Sequence, residues 1–140
     1  VALAVRAEPR DELRRELLQR ELRKIALPEK LALPLDLAVE CQGLVYDKCR
    51  YMDSKKLPLW LTFGNADPRG QPVLVIFKCG DDLRQDMLTL QMLRLMDRLW
   101  KQEGLDLLLS PYGCISTGQD VGLIEVVRDA ETLARITKAK

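Results

Sequence analysis

One stretch constrains the fold more than any other: an apolar run, Val73 to Cys79, breaks at Gly80 and gives way to a long helical period. A short run rich in β-branched and aromatic residues, closed by glycine, reads as a buried strand, here with Lys78 as its one charged member. Beyond the break Leu88, Met92, Leu95, Met96 and Leu99 recur at i, i+4, i+7, i+8 and i+11, the apolar stripe of an amphipathic helix. Asp82 and Gln85 have the spacing of a capping box ahead of it, and Gly104 supplies its stop. A stripe this wide is expected to cover a sheet. The methionines in it read as adaptable core filler and require no cofactor.

The remaining periods give that sheet its strands. Asp11 to Ile25 favours helix, with Leu13, Leu17, Leu18 and Leu22 on one side and the pairs Asp11/Arg15 and Glu16/Arg20 at i, i+4. Pro28 and Pro34 break this pattern, so Leu31 to Cys41 reads as an irregular connection that lays apolar side chains on the core. From Gly43 the period changes: Leu44, Tyr46 and Tyr51 point to a strand, and Leu59 to Phe63 to another. Gly64 to Gly70 is rich in turn formers and predicts a hairpin into Val73 to Cys79. Leu107 to Leu109 and Val121 to Val127 read as two further strands separated by Tyr112 to Gly118, and a short helix is expected near Asp129. The expected fold is α+β: an antiparallel sheet of about five strands against one long helix, with an additional N-terminal helix.

At 140 residues, with 47% hydrophobic and 31% charged, the chain has the length and balance of one compact domain. Its 22 Lys and Arg offset 21 Asp and Glu, so the overall charge offers no attraction to nucleic acid or an anionic bilayer. No apolar run approaches the roughly 20 residues of a membrane helix, and Val1 to Val5 lacks the basic flank of a signal peptide. A cytoplasmic location is the expectation. Cys41, Cys49, Cys79 and Cys114 are widely spaced, with no CxxC pair and no histidine beside them, so reduced thiols are expected and a metal is not.

Chemistry enters at Lys78 and Asp86. The lysine ends the apolar strand and the aspartate lies eight residues on, about one turn into the helix, so the two are placed to face each other. A fixed ammonium paired with a carboxylate on the next helix is how kinase-type sites hold a lysine against nucleotide phosphates. The surrounding wording is more specific. Ile76-Phe77-Lys78-Cys79-Gly80-Asp81-Asp82-Leu83-Arg84-Gln85-Asp86-Met87-Leu88 closely resembles the signature strand and helix of phosphoinositide 3-kinases, especially class I catalytic subunits. Met52-Asp53-Ser54-Lys55-Lys56-Leu57-Pro58-Leu59-Trp60, Pro111 to Gly118, and Gly122-Leu123-Ile124-Glu125-Val126-Val127 resemble the same family in the same order. The resemblance covers Asp47 to Ile136, and Val1 to Glu40 only loosely.

The resemblance implies the N-terminal lobe of a kinase domain. Met52 to Pro58 would be the phosphate-covering hairpin, with Ser54 and backbone N–H groups approaching the phosphates of ATP. The hairpin has neither GxxxxGK nor GxGxxG, and Leu57 stands where the family usually has a basic residue, with Lys55 and Lys56 beside it. Lys78 would contact phosphate, with Asp86 and Tyr112 lining the inner pocket. Glu125, through its carbonyl, and Val127, through its amide, would form the adenine hinge. Met52, Pro58, Trp60, Ile76 and Ile124 would supply apolar walls.

The family keeps its catalytic loop and its magnesium ligands in a C-terminal lobe, beyond the hinge. Here no histidine occurs, and the only Phe-Gly, Phe63-Gly64, follows Thr62. No catalytic or metal-binding residue is therefore assigned, and no kinase activity is expected of the chain alone. The implied division is 1–40 (helix and connection), 41–128 (hairpin, lysine strand, long helix and hinge) and 129–140 (post-hinge). Two readings follow: half of an ATP site that takes ATP or an ATP-competitive inhibitor weakly, or an excised or engineered structural module. The motifs read as a mosaic of family isoforms, and Asp11 to Ile25 as a redesigned surface. In a complete enzyme, magnesium and phosphoinositide would be met only through the C-terminal lobe, at the inner membrane face.

Overall fold

The run Val73–Cys79 forms strand β5, which pairs antiparallel with β4 (Leu59–Asn65) on one side and β7 (Val121–Glu125) on the other. A strand with neighbours on both edges buries its backbone, which is why this run carries so little polarity. The computed structural model describes residues 1–138. Around β5 the sheet runs β1 (Leu31–Leu33), β2 (Asp36–Leu44), β4, β5, β7, β6 (Cys114–Gly118), with β3 (Arg50–Tyr51) also paired to β4. Among the described residues four helices complete the fold: α1 (Ala2–Ala7), α2 (Asp11–Arg23), α3 (Arg84–Gln102) and α4 (Leu133–Lys138). Residues 139 and 140 of the expected post-hinge segment lie outside the described residues. The α+β expectation holds, with seven strands in the sheet among the described residues. Among the described residues no helix is long and apolar enough to cross a membrane.

The register sorts the side chains into two faces. Leu59 lies opposite Phe77, Leu61 opposite Val75, Phe63 opposite Val73, and Phe77 in turn opposite Leu123. Period-two alternation puts all of these on one face. They meet Val5 of α1, Leu18 and Leu22 of α2, and Leu33 and Cys41 of the β1–β2 hairpin, each at most 8% exposed. Helix α2 is thus an integral cover of the sheet, tied down by Gln19, which donates to Tyr46 O (2.7 Å) and Cys49 O (3.2 Å). All four thiols are free, and burial pushes those of Cys41 and Cys49 up.

Several local expectations are corrected. Leu31 to Cys41 is no irregular connection but a hairpin on the sheet edge; Pro34, which has no N–H to give a ladder, occupies its turn. Leu44 closes β2, and a 3₁₀ turn, Tyr46–Lys48, precedes β3. Leu107 to Leu109 forms no strand: Leu108 has φ +53° and its amide bonds the Asp106 carboxylate at 3.0 Å, a turn that no ladder accepts. The segment expected only to separate strands contains β6. The predicted helix near Asp129 starts later, because Asp129 itself is left-handed and Thr132 Oγ1 accepts from Arg135 N.

Helix α3 shows the largest differences. Asp82 is not half of a capping box with Gln85; its carboxylate binds Arg84, through the amide (3.1 Å) and the guanidinium (2.7 Å). That contact lowers the Asp82 pKa to about 2. The stripe Leu88, Met92, Leu95, Met96 and Leu99 does not cover the sheet: these side chains are 60, 50, 45, 37 and 50% exposed. The packed face is the other one, with Leu83 and Leu90 buried and Met87 and Leu93 half-buried, laid against β6. Two apolar faces share this helix, and periodicity alone does not say which one meets the sheet.

Candidate nucleotide-binding face

The face of the sheet opposite α1 and α2 carries a continuous row. Trp60 lies across from Ile76, Ile76 from Ile124, and Ile124 from Cys114, so four neighbouring strands each contribute one half-buried side chain. Lys78 stands two positions from Ile76 on the same face, opposite Gly122. A sheet places such residues side by side although they are distant in sequence. The result is a flat apolar floor with an ammonium at its edge, the combination that suits a planar, phosphorylated ligand.

The hairpin extends this face. Met52 N–H donates to Pro58 O at 2.8 Å, continuing the β3–β4 pairing, and Pro58 lies two positions before Trp60. Ser54, Lys55 and Lys56 are exposed at its tip, whereas Leu57, at the position usually basic in the resembled family, is buried and has φ +43°. The opposite end of the face is the segment Glu125 to Val127, which the resemblance implies as the hinge. The amides of Glu125 and Val126 donate to Gly113 O (2.8 Å) and Leu74 O (3.3 Å), and among the described residues the Val127 amide donates to no protein acceptor. Beyond the backbone role implied for Glu125, its carboxylate accepts from Gly113 N at 2.7 Å.

Lys78 does not form its ion pair with Asp86. Its Nζ is 3.3 Å from Asp81 Oδ2, because Gly80, at φ +97°, turns the chain back immediately after β5 and brings residue 81 alongside. Both side chains of this pair are about a third exposed, so it adds little stability. Asp86 sits in the first turn of α3 and shares with Tyr112 a depression of about 300 Å³, together with Thr89, Leu90 and Leu93. Lys78 and Asp86 nonetheless act on one neighbour. Burial pushes the Cys114 thiol up, Asp86 pushes it further, and Lys78 and Arg94 pull it down. Removing the Asp86 charge by Asp86→Asn is therefore expected to speed iodoacetamide alkylation of Cys114, and Lys78→Met to slow it. Each change should stay below about ten-fold, the effect of one pK unit. Peptide mass mapping of the alkylated site measures both; no response to either variant would remove Cys114 from their field.

Arginines outside the sequence motifs also bear on this region. Arg94 of α3 donates to Tyr112 O at 2.9 Å. That carbonyl and the Gly113 N–H belong to one peptide group, so α3 and the Glu125 carboxylate grip it from opposite ends. Arg50 stacks on the Trp60 ring, 4.6 Å from its centroid. Arg6 reaches the hairpin from α1. Only the cross-strand position of Arg50 is recoverable from spacing, since the partners of Arg94 and Arg6 are backbone carbonyls. A second concavity, of about 380 Å³, lies on the other side of Glu125, lined by Leu33, Cys41, Val75 and Gly113; it contains none of Ser54, Lys78 and Asp86.

Comparison with known proteins agrees with the signature residues. Residues 72–140 match the family described as Phosphatidylinositol 3- and 4-kinase. The chain is 55% identical over 138 residues to Phosphatidylinositol 3-kinase 2 of Dictyostelium discoideum, covering 99% of this chain and 7% of that protein. Phosphatidylinositol 3-kinase 1 of the same organism is 56% identical over 131 residues, 94% of this chain and 8% of that one. The human Phosphatidylinositol 3-kinase C2 domain-containing subunit gamma is 53% identical over 104 residues, 74% of this chain and 7% of the relative. The similarity thus extends past the Asp47 to Ile136 stretch into α1 and α2. The chain spans less than a tenth of the length of these curated relatives. Over almost all of its residues it is a homologue of a segment of phosphatidylinositol 3-kinases, and its second half carries the phosphatidylinositol 3- and 4-kinase family match.

Proposed function

We propose that this chain forms the N-terminal lobe of a phosphatidylinositol 3-kinase catalytic domain, of the class I type its motifs resemble, and supplies half of an ATP site. The observation that carries the reading is the row Trp60–Ile76–Ile124, with Lys78 at its edge, the Ser54 hairpin at one end and the Val127 amide at the other. Adenine stacks on the row and pairs with the Glu125 carbonyl and Val127 amide; the phosphates lie toward Lys78 and the hairpin amides. Tyr112 and Asp86, which line a common depression beside α3, take the inner end in this reading. In the complete enzyme a C-terminal lobe holds magnesium and the inositol lipid, and the ATP γ-phosphate passes to the 3-hydroxyl at the cytoplasmic membrane face. The chain's own part is to bind and orient the nucleotide.

A second reading, an inert structural module, has one observation in its favour: Lys78 and Trp60 already have protein partners, Asp81 and Arg50. Titrating ATP against the ¹⁵N-labelled chain separates the two. Shifts confined to Met52–Pro58, Lys78 and Glu125–Val127 are expected, and an unchanged spectrum at millimolar ATP leaves only the structural module.

A further inference from the structure

Helix α1 carries a residue that joins the two backbone segments at the phosphate end of this face. Arg6 Nη2 donates to Lys56 O in the hairpin at 2.6 Å, and also to Cys79 O at the end of β5. Its Nε is buried and has no hydrogen-bond partner among the described residues, so this guanidinium holds its place through the bonds its Nη2 makes. The Lys56 carbonyl shares a peptide group with Leu57 N–H, which donates to Ser54 O at 3.1 Å. That group is therefore held at both ends. The residue after it, Leu57, takes φ +43° with its side chain buried. A leucine in the left-handed region is sterically disfavoured, and persists where its surroundings over-determine it. Gly80 completes the arrangement: a Cβ there would lie 3.2 Å from Arg6 Nη1 and 3.5 Å from Lys56 Nζ, so glycine leaves room for both cations.

We infer that Arg6 is a positioning residue that latches the Met52–Pro58 hairpin to the end of the lysine strand, fixing the turn that carries Ser54. The latch stands on the geometry alone; its consequence for phosphate binding rests on the proposed nucleotide site. Arg6 acts from behind the sheet end, on the side of α1, so it sets the position of the hairpin backbone without occupying the face itself.

Two variants of the full chain test this: Arg6→Met, which keeps length but removes every donor, and Arg6→Lys, which keeps charge but not the rigid planar guanidinium whose Nη2 reaches both carbonyls. Amide exchange at Leu57 is expected to quicken about ten-fold in Arg6→Met, the loss of one charge-assisted hydrogen bond. Arg6→Lys should recover part of it, while Leu61 and Val75 keep their protection. The ATP affinity should fall about ten-fold in Arg6→Met with adenosine affinity unchanged. Unaltered Leu57 exchange in Arg6→Met overturns the latch, whether or not the chain binds ATP. A loosened Leu57 with an unaltered ATP-to-adenosine ratio overturns its part in phosphate binding. If Arg6→Met loses protection throughout the sheet, Arg6→Lys decides: loosening selective to Leu57 supports the latch, and wild-type exchange there overturns it.

Discussion

Lys78→Met is expected to abolish the preference for ATP over adenosine that the proposed site confers, while leaving the chain's melting temperature almost unchanged. The ammonium stands at the edge of the Trp60–Ile76–Ile124 row, and its only ion pair among the described residues, with Asp81, is partly solvent-exposed and worth little to stability. A charge-assisted hydrogen bond to phosphate is worth about 1.5–3 kcal/mol, so the ATP affinity should drop about 10- to 150-fold. In the proposed site adenosine engages only the Glu125–Val127 backbone and the apolar row, so it should bind as before. Calorimetric titration of both ligands into the wild type and the variant gives the ratio directly. Equal losses for the two ligands would mean that Lys78 supports the face as a whole and does not meet phosphate.

What is legible in the sequence follows the strength of local signals. The strand Val73–Cys79 and the α2 helix are readable because each has a single buried face or a uniformly apolar run. The row of walls is readable only in part: Trp60, Ile76 and Ile124 come from resemblance, and the sheet register explains why they meet. Periodicity picks out the wrong face of α3 because the helix bears two apolar stripes, and the choice between them is tertiary. The expected Lys78–Asp86 pairing gives way for a backbone reason, the left-handed Gly80, which presents Asp81 first. Contacts from side chain to distant carbonyl, such as Arg94 to Tyr112 and Arg6 to Lys56, carry no pattern at all, because any residue can offer a carbonyl. The left-handed Leu57 is equally invisible, since leucine is not a residue that advertises such a turn.

Gly122→Ala is expected to cost the fold about 1–3 kcal/mol and to lower the melting temperature by roughly 5–15 °C. A Cβ at this position would lie 2.4 Å from Ile115 O, 3.1 Å from Ser116 Cα and 2.6 Å from Leu83 Cδ1. The first two atoms belong to the neighbouring strand's backbone and cannot swing aside, so β6 must move away from β7. Leu83, 1% exposed, is the residue that seats the start of α3 over the sheet. Moving it shifts Asp86 one turn later and opens the space opposite Lys78. The same substitution should therefore disturb the site as well as the stability: amide shifts are expected at Ser116, Lys78 and Asp86 even well below the melting point. Thermal denaturation followed by circular dichroism, with an amide spectrum at 25 °C, tests both halves. A variant that melts with the wild type would show that β6 is loosely held, and the steric demand for a glycine facing the lysine would fall away.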